Sequence, residues 1–229
     1  MKITVVNGQS HKGSTYHIGK MLADKLGGKV TEFFLPKDFS DMCIGCTSCF
    51  IKNEHLCPHH ARLEKLTNAI DDADVLIFTS PVYVYHTTGA MKSFLDHYGY
   101  RWMVHRPEKM FSKQAVCIST AAGAGTKSTN KDIADSFFFW GIPKIYKYGV
   151  NVRATSYNGI SENTLKAIDK KTTALAKKIK AKDGKVKVGI KTKAFFELMR
   201  IIQRKSDWNE ADTDYWHNKG WDGKKRPWK

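Results

Sequence analysis

Two short apolar runs constrain the fold of this chain more than any other feature of its sequence. The stretches DVLIFTS, which begins at residue 74, and AVCIST, which begins at residue 115, carry apolar residues at consecutive positions. A strand with this pattern is buried on both faces, which is typical of a parallel sheet covered by helices on either side. The sequence therefore predicts an α/β fold.

Strand and helix patterns alternate five times along the first 181 residues. Strands are predicted at KITVV, KVTEFFL, DVLIFTS, AVCIST and KIYKYGVNV. Helices are predicted from Ser14 to Leu26, Ala61 to Ile70, Thr88 to Tyr98, Asn130 to Trp140 and Glu162 to Ala181. This alternation favours a doubly wound sheet of five parallel strands.

The size and the apolar content of the chain agree with one such domain. It has 229 residues, of which 41% are hydrophobic, so it can bury a full core. The first residues already read as a strand instead of a signal peptide, and no apolar stretch is long enough to cross a bilayer. We therefore expect a cytoplasmic protein.

The last 47 residues read as an extension of that domain. They comprise a linker, an amphipathic helix from Lys193 to Arg204, and a tail that carries Trp208, Tyr215, Trp216, Trp221 and Trp228. We expect residues 1–182 to form the domain, and residues 183–229 to pack on it or on a partner subunit. So many aromatic residues need burial, which together with the family resemblance described below predicts a homodimer. The amphipathic helix is expected to dock on protein instead of anchoring the chain in a membrane.

The basic charge is concentrated near the same end of the sequence. From Leu165 onward there are 19 Lys or Arg against 8 Asp or Glu, which accounts for most of the net charge of +16. Such a surplus attracts anions, but no nucleic-acid-binding motif accompanies it. We interpret it as a solvated surface and expect no nucleic-acid partner.

The turn NGQSHKGST, residues 7–15, connects the first strand to the first helix. At this edge of a parallel sheet the N–H groups of a helix N-terminus favour a phosphate. Ser10, Ser14 and Thr15 add hydroxyl groups, and Gly13 lets the backbone approach a ligand closely. The turn contains neither G-x-G-x-x-G nor G-K-[ST], so a single terminal phosphate, as on FMN, is favoured over a dinucleotide or ATP.

Two further loops follow the third and fourth strands. In TSPVYVYHTTGAMKSFLDH, residues 79–97, the proline turns the chain outward at the carboxyl edge of the sheet. In STAAGAGT, residues 119–126, small side chains leave room for a ligand against the backbone. Each loop alone could be an ordinary turn, but the three loops together predict a ligand with a planar ring.

These stretches resemble the NAD(P)H-dependent FMN reductases of flavodoxin-like fold, close to the branch of the iron–sulfur flavoproteins. The resemblance covers residues 1–180 and implies the strand order 2-1-3-4-5, FMN as cofactor and NAD(P)H as co-substrate. It implies phosphate-loop residues and residues that line the isoalloxazine ring. The implied cofactor-binding residues are Gln9, Ser10, Lys12, Gly13, Ser14, Thr15, Pro81, Val82, Tyr83, Val84, Tyr85, Thr120, Ala121, Ala122 and Gly123.

The implied activity is an oxidoreductase. The nicotinamide would pass a hydride to flavin N5, and a small acceptor would then take the electrons: a quinone, a nitroaromatic, an azo compound or free flavin. This chemistry belongs to the cofactor, so no catalytic side chain is predicted. The alternative is an electron-transfer protein in which flavin, with or without an iron–sulfur centre, relays electrons between protein partners.

Four cysteines form a compact group. Cys43, Cys46 and Cys49 have the spacing C-x2-C-x2-C, and Cys57 follows after seven further residues. Three thiolates at that spacing, with a fourth from a nearby loop, can hold a [4Fe–4S] cluster. Zinc is the alternative, with His59 or His60 as a replacement ligand. Structural disulfides are not expected in the cytoplasm, and Cys117 inside a strand reads as a small buried residue.

Several charged residues between positions 86 and 107 have two readings. His86, His97 and His105 are candidates for the flavin face, or else ordinary structural histidines. Arg101 and Arg106 could bind the phosphates of the nicotinamide nucleotide, and their segment could instead cover the ring or contact a partner subunit.

Overall fold

A computed structural model describes residues 1–104, 107–205 and 209–228, with the backbone alone for 102–104. Five parallel strands form one sheet in the order β2-β1-β3-β4-β5. This is the doubly wound sheet that the alternating pattern predicts, with the strand order that the family resemblance implies. The strands are β1 (Lys2–Asn7), β2 (Lys29–Phe34), β3 (Val75–Pro81), β4 (Gln114–Ala121) and β5 (Lys144–Asn151).

Burial explains why the middle strands could be recognised. Every residue of β4 is buried, as are the first six of β3, whereas the edge strands β2 and β5 are partly exposed. Helices cover both faces of the sheet, which removes the alternation of polar and apolar residues from the middle strands.

Nine helices lie in the described part of the chain, and three short 3₁₀ segments join them. The helices are α1 (Ser14–Leu26), α2 (Ser48–Ile51), α3 (His60–Asp72), α4 (Gly89–Asp96), α5 (Gly99–Val104), α6 (Thr126–Phe139), α7 (Glu162–Lys180), α8 (Ile190–Lys205) and α9 (Glu210–Lys219). The 3₁₀ segments are Glu54–Leu56, Glu108–Ser112 and Tyr157–Gly159. Helices α1 and α7 bury apolar residues on one face of the sheet. Helices α3, α4 and α6 do so on the other face.

Helix boundaries differ from the sequence prediction by up to four residues, and two of the differences change how the chain connects its elements. Helix α6 begins at Thr126, four residues before the predicted start, because Gly125 has a φ of 94° and turns the chain directly into the helix. A Cβ at Gly125 would lie 2.6 Å from Cγ1 of Val82, so this turn favours glycine. The helix predicted from Thr88 to Tyr98 ends at Asp96, and a separate short helix, α5, follows it.

The extension packs on the same chain. Phe196, Trp216 and Trp221 are buried in a cluster with Phe111, which precedes β4, and Trp228 packs against this cluster. Phe195 contacts Phe138 and Phe139 at the end of α6, with ring centroids 5.4 Å apart. The extension therefore covers the amino end of β4 and the carboxyl end of α6. Trp208 lies outside the described residues, and the homodimer stays a prediction.

None of the helices within the described ranges combines the length and the apolar character needed to cross a membrane.

Candidate functional site

A cleft opens at the carboxyl edge of the sheet, where β1, β3, β4 and β5 end. Neutral side chains line it, and no carboxylate, lysine or arginine is among the described residues of its wall. The lining residues are Asn7, Gln9, His11, Gly13, Ser14, Thr15, Tyr16, Thr79, Pro81, Val82, Thr120, Ala121, Ala122, Val152, Ala154 and Thr155.

The N-terminus of α1 forms one end of this cleft. Gly13 is the residue before the helix and has extended backbone geometry, so within the described structure no side chain caps the first turn. That turn contains no acidic residue either. The first N–H groups of a helix have no partner inside the helix, and its dipole makes them attractive to an anion. Ser14 and Thr15 place hydroxyl groups beside them.

Hydrogen bonds between polar residues fix the floor of the cleft. The hydroxyl groups of Thr15 and Thr120 share a hydrogen bond, which joins the start of α1 to the end of β4. The hydroxyl of Thr79 donates to Oδ1 of Asn7 over 2.9 Å. Nδ2 of Asn7 in turn donates to Glu32 and to the carbonyl of Phe33. These bonds hold the ends of adjacent strands in one arrangement.

Residues 83–86, in the loop after β3, form a strained turn at the edge of the cleft. We call this turn the lip. Tyr83 and His86 exchange two backbone hydrogen bonds around Val84 and Tyr85, whose φ angles are 46° and 67°. Two central residues with positive φ form a turn of the type I′ class, which normally uses asparagine and glycine. A β-branched residue in this conformation is strained. The side chain of Val84 is 91% exposed, so apolar packing does not compensate for the strain.

Polar contacts hold this lip against α6. The hydroxyl of Ser128 donates to the carbonyl of Tyr85, and Oδ2 of Asp132 accepts from the backbone N–H of Thr87 over 3.2 Å. Nδ1 of His86 lies 3.1 Å from the same carboxylate oxygen. On the other side of the lip, the side-chain amide of Gln9 donates to the hydroxyl of Tyr83.

The cleft brings together nine of the fifteen cofactor-binding residues expected from the sequence. They are Gln9, Gly13, Ser14, Thr15, Pro81, Val82, Thr120, Ala121 and Ala122. The other six lie beside it. Ser10 donates to the carbonyl of Leu35 over 3.2 Å, and Nζ of Lys12 lies 5.4 Å from the ring centre of Tyr16. The carbonyl of Gly123 accepts from Asn151. The remaining three, Tyr83, Val84 and Tyr85, form the lip described above.

The structure adds lining residues that sequence reasoning missed. Asn7 ends β1, Thr79 lies two residues before the end of β3, and both line the cleft. Val152, Ala154 and Thr155 follow β5 and close the cleft on that side. The residues that follow β5 carry no local sequence signal for a ligand site, but the strand order 2-1-3-4-5 places the end of β5 next to the end of β4. That order was the signal that could have found them.

None of the four cysteines of the compact group lines the cleft. Cys43 and Cys46 are exposed, while Cys49 and Cys57 are partly buried. Burial, together with the negative charges of Cys57, Cys43 and Cys46, raises the pKa of the Cys49 thiol to about 11. All three other thiols are therefore near enough to Cys49 to act on its charge. This set of four soft sulfur donors fits an iron–sulfur cluster.

Two histidines lie beside this group. Ligand atoms of Cys57, His59 and His97 all lie within 4.8 Å of one another. Nδ1 of His97 bonds the carbonyl of Ser93 over 2.9 Å, and its Nε2 lies 2.9 Å from Nδ1 of His59. Burial lowers the pKa of His97. His97 is thus next to the cysteines and not at the cleft, contrary to one reading of the sequence.

Arg101 also differs from one of its readings. Its side chain is buried, donates to Asp71 and to the hydroxyl of Tyr100, and lies over the ring of Tyr98. A buried arginine paired in this way stabilises the packing of α5 and does not reach a nucleotide phosphate in the cleft. His105 and Arg106 lie outside the described residues.

The fold and the cleft define a class of protein. A parallel sheet of order 2-1-3-4-5 with an uncapped helix N-terminus at its carboxyl edge is a flavodoxin-like fold. Residues 1–155 match the family described as NADPH-dependent FMN reductase. The chain belongs to this family, which makes it an NAD(P)H-dependent FMN oxidoreductase.

Known proteins resemble the chain over most of its length. An iron-sulfur flavoprotein of Archaeoglobus fulgidus is 25% identical over 199 residues, which cover 85% of this chain and 86% of that protein. The crystal structure of an azoreductase from Bacillus anthracis str. Sterne superposes with a TM-score of 0.61 at 14% identity, over 78% of this chain and 99% of the other. A flavone reductase superposes with a TM-score of 0.58 at 16% identity. That match covers 79% of this chain but only 63% of the flavone reductase, less than two thirds of its length.

Proposed function

We propose that the cleft binds FMN with its phosphate at the N-terminus of α1. In this proposal the enzyme passes electrons from NAD(P)H to a small acceptor, such as a quinone, a nitroaromatic, an azo compound or free flavin. The observation that carries the proposal is the uncapped first turn of α1, which opens into a cleft lined by neutral groups. Family membership supports FMN as the cofactor.

The donor set at the helix suits a phosphate monoester. Backbone N–H groups of the first turn and the hydroxyls of Ser14 and Thr15 can donate to several phosphate oxygens at once. No acidic side chain in that turn opposes the negative charge. Lys12 lies beside the same turn and adds a favourable electrostatic contribution.

The rest of the cleft suits a planar ring. Pro81 and Val82 offer a flat apolar edge on one side, and Ala121 and Ala122 leave space for a ring against the backbone of β4. When bound, FMN supplies the chemistry, since it accepts a hydride and passes the electrons on to an acceptor. The residues of this chain bind and orient the cofactor, and none needs to act as an acid or a base.

The lip provides a surface for the second substrate. Tyr83 and Tyr85 are about half exposed or more, and the hydroxyl of Tyr83 accepts a hydrogen bond from the cleft residue Gln9. Exposed rings favour stacking with planar molecules. The names of the similar structures, an azoreductase and a flavone reductase, also point to planar acceptors.

Steady-state kinetics test this function. The purified protein is loaded with FMN, and oxidation of NADH and of NADPH is followed at 340 nm with a benzoquinone and with an azo dye, both anaerobically. Turnover that depends on FMN and on the added acceptor is expected. A protein that binds FMN but oxidises neither nucleotide at a rate above that of free FMN would refute the proposal.

The cysteine group favours a second function, the relay of electrons between proteins. The chain carries four free cysteines within residues 43–57, and the relative from Archaeoglobus fulgidus is named an iron-sulfur flavoprotein. Cys43, Cys46, Cys49 and Cys57 would hold the cluster, which would supply one-electron transfer. A relay predicts slow turnover with small quinones and fast electron exchange with a protein carrier, so the same kinetic experiment separates the two functions.

A further inference from the structure

Helix α8 has apolar residues on two opposite faces. The inner face buries Phe196 and Met199 in the cluster of the extension, as its amphipathic sequence predicts. The outer face leaves Leu198, Ile201 and Ile202 exposed by 52%, 49% and 39%. Surface helices of single domains normally carry polar residues on that side.

The exposed apolar residues form a continuous stripe. Positions 190, 194, 198 and 201 are spaced by three or four residues, so they share one side of the helix. Ile190 is 87% exposed, Ala194 is also exposed, and Ile202 widens the stripe toward its carboxyl end. The stripe extends from Ile190 to Ile202 of this 16-residue helix, so it runs along about 18 Å. We call this surface the outer stripe of α8.

Basic residues stand at both ends of the outer stripe. Residues 182–205 contain eight Lys or Arg against two Asp or Glu. One of the two acidic residues, Glu197, is already paired with Arg200 and Arg226. Lys193, Arg204 and Lys205 are exposed, and within the described ranges no carboxylate pairs with them. The stripe is therefore apolar along its centre and positive at each end.

This charge pattern decides between the surfaces that could cover the stripe. A second copy packed on α8 would bring basic ends together in both the parallel and the antiparallel orientation, and like charges at an interface are unfavourable. An acidic protein would match in charge but would need a groove about as long as the helix. A flat anionic surface matches the basic ends and accepts the apolar centre at the same time.

We propose that α8 docks the protein on anionic lipid bilayers, with the helix axis parallel to the membrane and the outer stripe facing the acyl chains. Lys193, Arg204 and Lys205 then contact the lipid headgroups. Neither the apolar stripe nor the basic ends are sufficient alone, so binding requires both and falls with salt. The proposal does not depend on FMN binding or on turnover.

Vesicle flotation of the full-length protein tests this proposal. The probes are vesicles of phosphatidylcholine alone and vesicles of phosphatidylcholine and phosphatidylglycerol in equal parts, at low and at high salt. The variants are Leu198→Gln with Ile201→Gln, and Lys193→Gln with Arg204→Gln and Lys205→Gln. The matched control is Val30→Gln, which also removes an exposed apolar side chain but lies on the edge strand β2. Circular dichroism and NADPH oxidation report whether each variant is folded.

Binding to the vesicles that contain phosphatidylglycerol, and not to phosphatidylcholine alone, is the expected result. The stripe variant should lose most of this binding. The triple charge variant should weaken the partition coefficient on the order of 100-fold at low salt, since each basic residue near the surface contributes about fivefold. Val30→Gln should bind like the wild type.

Three results would overturn the proposal. The first is wild-type protein that does not float with anionic vesicles at low salt. The second is a folded stripe variant that binds lipid as well as the wild type does. The third is sedimentation equilibrium that reveals a dimer which Leu198→Gln with Ile201→Gln dissociates, because the stripe would then be an interface between two copies of the chain.

Discussion

The proposed phosphate site at α1 predicts that Ser14→Asp weakens the binding of FMN. Ser14 is the first residue of the helix, directly after Gly13, so the new carboxylate would lie where the phosphate of FMN is proposed to bind. FMN affinity should fall through two effects. Loss of one hydrogen-bond donor to a charged group costs about 1.5–3 kcal/mol. Repulsion between two anions about 4 Å apart in an open cleft adds roughly 1 kcal/mol.

These two effects sum to about 3 kcal/mol, which corresponds to a dissociation constant roughly 100-fold higher. The same carboxylate should stabilise the cofactor-free protein. An acidic residue in the first turn of an uncapped helix contributes about 0.3–1 kcal/mol. The variant should therefore bind FMN poorly and melt slightly higher without it, which separates lost binding from misfolding.

Flavin fluorescence titration measures the affinities of the wild type and the variant for FMN and for riboflavin. Riboflavin has the same ring and no phosphate, so its affinity should change little in the variant. Ser14→Ala is the matched control, because it removes the hydroxyl without adding a charge and should cost about 2 kcal/mol, or roughly 30-fold, in FMN affinity. An FMN affinity within threefold of the wild type, or an equal loss for riboflavin, would show that the phosphate lies elsewhere.

Three further predictions concern other parts of the molecule. Protein prepared anaerobically with iron and sulfide should hold about four irons and four sulfides per chain. Cys49→Ala should lose the iron and sulfide, whereas Cys117→Ala should keep them. Elemental analysis that finds zinc or no metal in the wild type would contradict the cluster. Burial lowers the pKa of Lys113 to about 8, so the unfolded chain binds its proton more tightly. The free energy of unfolding should then rise between pH 8 and the usual pKa of 10.5, on the order of 2 kcal/mol relative to Lys113→Met, and denaturant titrations that find a fall instead would rule this out. Val84→Gly should raise the free energy of unfolding by about 1 kcal/mol by relieving a positive φ, whereas Val30→Gly on the edge strand should lower it; equal effects of the two changes would argue against strain in the lip.

The sheet could be predicted from the sequence because its signals are local. An unbroken apolar run such as DVLIFTS has few alternatives to a buried strand, and the family resemblance added the strand order. Helix α7 was predicted to within one residue because Ser161 caps it and its apolar residues recur with the helical period.

The parts that were missed depend on contacts between distant residues. Helix α9 was expected only as an aromatic tail, because its residues show almost no amphipathic pattern around the helix and Trp216 is buried only through the cluster with Phe196. The wall formed by Val152, Ala154 and Thr155 has no local signal, since it faces the cleft only because β5 lies beside β4. The sequence left two interpretations of His97 open, and its place beside His59 became clear only once α4 had positioned it at the end of that helix.

The aromatic cluster of the extension also determines the order in which parts of the chain can fold during synthesis. Phe111 precedes β4, but its partners Phe196, Trp221 and Trp228 are translated 85 to 117 residues later. At typical rates of translation, roughly 6 to 23 s separate residue 111 from residue 228. The sheet can assemble within that interval, while the surface around Phe111 and Phe138 is still bare. The nascent chain therefore passes through a stage with an apolar patch open to chaperones, and slow codons after β5 would lengthen that stage.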